Sequence, residues 1–466
     1  MKRLFLVFLI CLSALPVFAG GSKESGAQKE VSLRFLAFQV GVHPESAWFE
    51  KTVTNFNKES TGKIKVVIDG VAEDQIAWEK LRTEAATDTM PDLFMLKHDR
   101  SEFNVMAQSG RVVDLNPYIE ADPTLKATLN DPISLRAYRD ENGRQLGLPY
   151  AKANVGIYYN TELFRKAGIN TFPETWDDFF AVCDKLKAAG ITPISLMTGD
   201  NAWTSMLMLA HFIGTSPNGE EWLSGKAAGQ KFEVPVFVNA AARLQKILKE
   251  YTTPDAIGAN YPISANNFLQ SKCAMIANGP WMIGAFSDPK SAPEGFEPKV
   301  KYALAPGSGV IAMENVSYAS GSKTKEKKDA SVEVLKYFTR EDVYAEYLNI
   351  GGAAPCFKID MSKINYPRIN KEFLPLALKA QHKYTIVPNV VKPAIIDSMA
   401  QILPELAAGR ITPRSRIWPP FYEHSRHRHE GNDTGSSHSG LNECLLCFTG
   451  CLFQLLEIDS YHARRY

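Results

Sequence analysis

The chain has 466 residues, with 52 Lys and Arg against 51 Asp and Glu and a formal net charge of +1. That balance excludes the strong basic field that nucleic acid or an anionic membrane surface would require. The length exceeds what one hydrophobic core supports and implies two or three domains.

Lys2 and Arg3 precede an apolar run from Leu4 to Val17, followed by Phe18-Ala19-Gly20-Gly21. A basic start, a short apolar stretch and small residues at the end are the parts of a cleavable secretory signal. Val17 and Ala19 suit the positions that signal peptidase reads, which assigns residues 1–19 to a signal peptide. The run is shorter than the ~20 residues a membrane-spanning helix needs, and polar Gly21 to Ser25 follow directly. Removing residues 1–19 takes two bases and no acid, so the net charge of +1 becomes −1. The expected location is periplasmic or otherwise extracytoplasmic.

Val31 to Phe38 is a β-rich run, and Trp48, Phe49, Val53 and Phe56 recur at helical spacing. Lys63 to Ile68 reads as a second strand. Trp78, Leu81 and Ala85 mark a second helix, and Asp92 to Leu96 a third strand. Alternating strand and helix predicts right-handed crossovers and a mostly parallel sheet. Ligands bind outside the carboxyl ends of such strands. This nominates the loops at Gln39 to Glu45 and Lys97 to Asp99, and within them His43, Glu45, His98 and Asp99.

A second αβ block starts near Leu148. Thr161 to Gly168 reads as a short helix with a polar cap and a Gly stop. Thr175-Trp176-Asp177-Asp178 is a capping box for a helix ending at Gly190, and Ile191 to Met197 should follow as a strand. Cys183, Cys273 and Cys356 are widely spaced in apolar stretches and read as buried thiols, not a disulfide framework.

The tail, 414–466, is atypical. It has no Lys, Val or Met, yet holds five of the nine His and three of the seven Cys. Its bland reading is a disordered extension. Cys444-x-x-Cys447 with Cys451 and nearby His is half of a usual zinc site.

Further motifs occur in order: Leu148-Pro149-Tyr150; Gly156 to Phe164; Ala167-Gly168-Ile169; Pro173 to Phe179; Phe268 to Ile276; Asn278-Gly279-Pro280-Trp281; Ala305 to Gly309; and Ala330 to Arg340. Together they resemble the bacterial extracellular solute-binding proteins, family 1, the group that includes maltose-binding protein. The resemblance covers roughly residues 30 to 413. It implies an α/β, periplasmic-binding-protein type II fold, with two lobes, a multi-strand hinge and a ligand cleft between them. The implied boundaries are 30–152 plus 305–338 for the N-terminal lobe and 153–304 plus 339–413 for the C-terminal lobe. Crossings would fall near Ala151 to Val155, Ala303 to Pro306 and Phe338 to Arg340. Pro419 and Pro420 stand where the family usually continues into a terminal helix, which proline disrupts.

The same resemblance implies the substrate-binding component of an ABC importer, acting as a monomer. Its partners would be a sugar ligand and membrane permease subunits, with no nucleic acid, no cofactor and no metal. A sugar offers C–H faces to aromatic rings and hydroxyls to polar groups. Trp281 is the first stacking candidate, Trp203 in a polar loop the second, and Trp48 a weaker third. Tyr150 and Asn278 complete the candidate site. Asn315 to Gly321 is expected to hold a cleft-facing turn, and Gly351-Gly352-Ala353-Ala354 to bring backbone close to ligand. The alternatives are a polyamine, a metal chelate or a polyol phosphate in the same role, a membrane-anchored sensor or adhesin, or a secreted carbohydrate-active enzyme. Against the enzyme, no Gly-x-Ser-x-Gly or His-Glu-x-x-His is present and no carboxylate pair is nominated by a motif.

Overall fold

The computed structural model describes residues 30–414, apart from 42, 98–99, 130–131 and 225–231. The expected signal segment and residues 415–466 of the tail therefore lie outside the described residues.

Strands β1 (Val31–Ala37), β2 (Ile64–Gly70) and β3 (Leu93–Lys97) alternate with helices Ser46–Glu59 and Asp74–Ala86. β1 lies between β2 and β3, parallel to both, with Val31 opposite Ile64 and Phe35 opposite Leu93. The strand–helix pattern expected from sequence is thus present, with ends within about two residues of those read from it.

The remaining strands are β4 (Leu148–Asn160), β5 (Thr192–Ile194), β6 (Cys273–Asn278), β7 (Val300–Ala303), β8 (Gly309–Ser320), β9 (Ala354–Pro355) and β10 (His382–Tyr384). The sheet path runs β2-β1-β3-β8-β4-β6-β5. β4 and β8 pair antiparallel from Leu148 opposite Tyr318 to Val155 opposite Ile311, with register shifts around Ala151. The expected strand Ile191–Met197 is only three residues long. β5 pairs with β6 at two positions, after which Leu196 N–H turns to the Thr252 hydroxyl and leaves the ladder.

Two α/β lobes share this sheet. The first core joins Leu33, Phe35, Trp48, Phe49, Tyr150 and Tyr318 to Phe338, Tyr344, Tyr347 and Leu348. The second joins Ile157, Phe179, Leu186, Met206, Phe212, Leu244, Ile247 and Leu403. β4 changes core between Ala151 and Ala153, and β8 between Met313 and Val316. Two boundaries differ from those expected. The crossing assigned to 303–306 is made by β8 itself, because Ala305 and Gly309 close a turn first. Residues 341–357 pack with the first core and not the second, because Tyr344, Tyr347 and Phe357 surround Tyr150.

Tyr150 is therefore a core residue, a correction to its place in the candidate site. It is fully buried. Its hydroxyl donates to the Phe338 carbonyl at 2.9 Å, and its carbonyl accepts from the Tyr344 hydroxyl at 2.7 Å. Trp48 is likewise core, donating its indole N–H to the Val343 carbonyl at 3.2 Å. Cys183, Cys273 and Cys356 are free and buried, as expected.

Tyr150→Phe keeps the ring contacts and orphans the buried Phe338 carbonyl. The expected loss is roughly 1–2 kcal/mol in chemical denaturation, with an unchanged slope. No loss would contradict the core assignment.

Candidate functional site

A cleft opens beside the sheet, with about 960 Å³ of space between its walls, open solvent included. One wall belongs to the first lobe: Phe38, Gln39 and His43 to Glu45 beyond β1, Ala72 to Asp74 beyond β2, and Val316 of β8. The other belongs to the second lobe: Met197 to Trp203 beyond β5, Tyr261 at the start of a helix, and Trp281 beyond β6. Nearly every lining residue follows the carboxyl end of a strand or opens a helix, as the sheet geometry requires.

The second wall is aromatic. The rings of Trp203 and Trp281 lie 5.8 Å apart at 50° and are both half-buried. Their placement is fixed by backbone. Asp200 and Ala202 adopt left-handed φ of 50° and 52° just before the helix Trp203–Gly214. Such values cost a non-glycine residue of order 1 kcal/mol. Asn201 Oδ1 accepts the Trp203 N–H at 3.2 Å and steadies the bend. At Gly279 a Cβ would stand 2.2 Å from the Trp281 ring, so only glycine lets the indole fold back over the chain.

Asn278 does not reach the cleft. It is fully buried, and its amide donates to the Tyr261 hydroxyl at 3.1 Å while its Oδ1 accepts the Gly279 N–H at 2.9 Å. It positions Tyr261, which does line the cleft.

The first wall is acidic. Glu45 caps the chain entry of helix Ser46–Glu59, but its side chain does not bond the helix N–H groups. It is 2% exposed, and its Oε2 has no hydrogen-bond partner among the described residues. Desolvation raises its pKa to about 7, against a smaller lowering by its own backbone N–H. On the opposite wall Asp200 is also raised, first by desolvation and then by Glu73, Asp74 and Glu79. Burial pushes the Tyr261 phenol up, and the Glu45 charge adds to this. The His43 ring meets Phe38 edge-on at 5.7 Å. No Lys or Arg is among the described lining residues.

The family model of the bacterial extracellular solute-binding proteins matches residues 41–345. The chain belongs to that family. It is 24% identical over 381 residues to the multiple sugar-binding protein of Streptococcus mutans, covering 77% of this chain and 83% of that one. It is 22% identical over 269 residues to the sn-glycerol-3-phosphate-binding periplasmic protein of Rhizobium meliloti, covering 55% and 60%. Among solved structures, a chitin oligosaccharide binding protein superposes with a TM-score of 0.73 at 26% identity, covering 83% of this chain and 96% of that one. The two-lobed α/β architecture is that of the type II solute-binding proteins, whose family is extracytoplasmic.

In this solute-binding protein the structure brings His43, Glu45, Trp203 and Trp281 of the sequence candidates to one cleft. It removes Tyr150 and Asn278 to the interior, and His98 and Asp99 lie outside the described residues. The expected cleft turn at 315–321 is mostly strand β8, with Val316 touching the cleft. Gly351 and Gly352 do not line it: Gly352 ends a helix with φ 63°, and Gly351 packs near Glu45 Oε1. Glu73, Asp74 and Tyr261 were missed. The carboxyl-end rule, applied to β2 as it was to β1, finds the first two. Tyr261 carries no comparable local signal.

The raised Glu45 pKa sets a pH dependence. Between about pH 4.5 and 7 the folded protein keeps a proton that the unfolded chain has lost. This contribution to stability is complete below 4.5 and lost as pH rises through 7. At about 1.4 kcal/mol per pH unit it amounts to at most about 3 kcal/mol. Glu45→Gln should therefore gain stability relative to the parent on going from pH 4 to pH 8, followed by denaturation at each pH. A difference that does not change with pH would contradict the desolvated carboxyl.

Proposed function

We propose that the protein captures a mono- or oligosaccharide outside the cytoplasmic membrane and delivers it to the permease of an ABC importer, without chemical turnover. The observation that carries this reading is the pair Trp203 and Trp281 facing polar groups across an interlobe cleft. Aromatic faces take sugar C–H surfaces, and Glu45, His43 and Asn201 offer hydrogen bonds to hydroxyls. The names of the Streptococcus mutans relative and of the chitin oligosaccharide binding protein support a saccharide. A polyol phosphate, the ligand class named for the Rhizobium meliloti relative, is disfavoured: phosphate sites use Arg, Lys or free helix N-termini, and this wall presents carboxylates.

The lobes are proposed to close by bending where β4 and β8 change core, a hinge of few residues. We further propose cleavage after Ala19 and a monomeric mature protein. Among the described residues no helix is long and apolar enough to cross a membrane.

Trp281→Ala should weaken the binding of a saccharide that raises the melting temperature of the parent. The expected loss is about tenfold or more, since a stacked aromatic contributes roughly 1–3 kcal/mol. Intrinsic fluorescence titration of the chain from residue 20, over sugars, polyamines and amino acids, reads it. Equal affinity in Trp281→Ala and Trp203→Ala would remove the aromatic wall from the site, and release of hydrolysis products would make the protein an enzyme.

A further inference from the structure

The cleft has one wall suited to any sugar and one wall that is not. Glu45, Glu73 and Asp74 line the latter, Asp200 stands on the aromatic wall beside Trp203, and no Lys or Arg is among the described lining residues. For a neutral ligand this arrangement is costly: carboxylates facing a closing, water-poor cleft lose hydration and repel one another. Asp200 registers that repulsion from Glu73, Asp74 and Glu79 after desolvation.

Glu45 is the informative member. It is 2% exposed, and its Oε2 is buried with no partner among the described residues. A buried carboxylate oxygen left unsatisfied is uncommon in a folded protein and asks for a donor. The backbone N–H groups of its own helix do not supply one to the side chain. Glu45 lines the cleft, so a ligand can. A hydroxyl would satisfy the hydrogen bond but leave the charge uncompensated, whereas an ammonium satisfies both. Among the described residues no three ligating side chains converge to hold a metal ion. The tryptophans opposite, moreover, fit a carbon ring and stabilise a cation over their faces.

Building on the sugar-capture reading, we infer that the preferred ligand is a saccharide carrying a protonated amino group, with the ammonium taken by the Glu45 carboxylate and the sugar ring by Trp203 and Trp281. Glu73 and Asp200 then supply the negative potential that draws the ligand in.

The test compares ligands that differ only at the amine, using the full chain and calorimetric titration. The series is glucosamine, galactosamine and mannosamine against their hydroxyl parents and N-acetyl forms, extended to the β-1,4-linked glucosamine disaccharide against cellobiose and the diacetylated disaccharide. Putrescine and spermidine are the controls without a sugar ring. The expected result is an amino saccharide binding about tenfold or more tighter than its hydroxyl and N-acetyl counterparts. Glu45→Gln should abolish that preference, so that an amino saccharide binds no tighter than its hydroxyl and N-acetyl counterparts in the same variant. Glu73→Gln, a surface change that leaves the core intact, should reduce it in part. Equal or tighter binding of the hydroxyl or N-acetyl form overturns the inference and leaves sugar capture standing. Binding of polyamines with none of the saccharides overturns both, as does silence across the whole series.

Discussion

The antiparallel pairing of β4 with β8 positions everything else in the molecule. Each strand begins in one hydrophobic core and ends in the other, and their ladder runs from Leu148 opposite Tyr318 to Val155 opposite Ile311. A ladder cannot be broken without orphaning its backbone groups, so the lobes are tethered along two neighbouring strands. The register shifts around Ala151 fall where β4 leaves the first core, at the place proposed for the bend. Loops at the carboxyl ends of β1, β2, β5 and β6 face one another as a consequence. The cleft exists because of that tether and not because of any single loop.

The two walls do different physical work. Trp203 and Trp281 are held by constraints outside the cleft, namely left-handed backbone at Asp200 and Ala202 and the missing Cβ at Gly279. Asn278 acts one step back, holding Tyr261 by a hydrogen bond. The aromatic wall is thus pre-arranged, and binding spends little on ordering side chains. Glu45 is the opposite case: it is held where its charge is poorly solvated, which weakens the empty protein at neutral pH. Destabilised groups of this kind gather at functional sites, where a ligand supplies what the fold withholds.

Much of this was legible in the chain. The three parallel strands, the Thr175 cap bonded to Asp178 N–H at 3.1 Å, and the buried cysteines follow from period, cap chemistry and composition. His43, Glu45, Trp203 and Trp281 followed from one rule about strand ends, joined to a family resemblance. Tyr150 failed because its place at the lobe crossing said nothing of which face it takes; its neighbours Tyr344, Tyr347 and Phe357 come from about two hundred residues away and claim it for the core. Asn278 failed for a related reason: it sits beside Trp281 in sequence, but the fully buried β6 turns its side chain inward. Lobe membership of 341–357 is a tertiary fact of the same kind. Local pattern finds elements and strand ends; it does not find which core competes successfully for a side chain.

The central claim is that ligand is held between the lobes, by both walls at once. Hydrogen exchange with and without a bound saccharide tests it most directly, because it reads each wall separately. The account predicts simultaneous protection of the segments 38–45 and 72–74 on the first lobe and 199–203 and 279–283 on the second. Protection confined to one lobe, or appearing away from these segments, would contradict it.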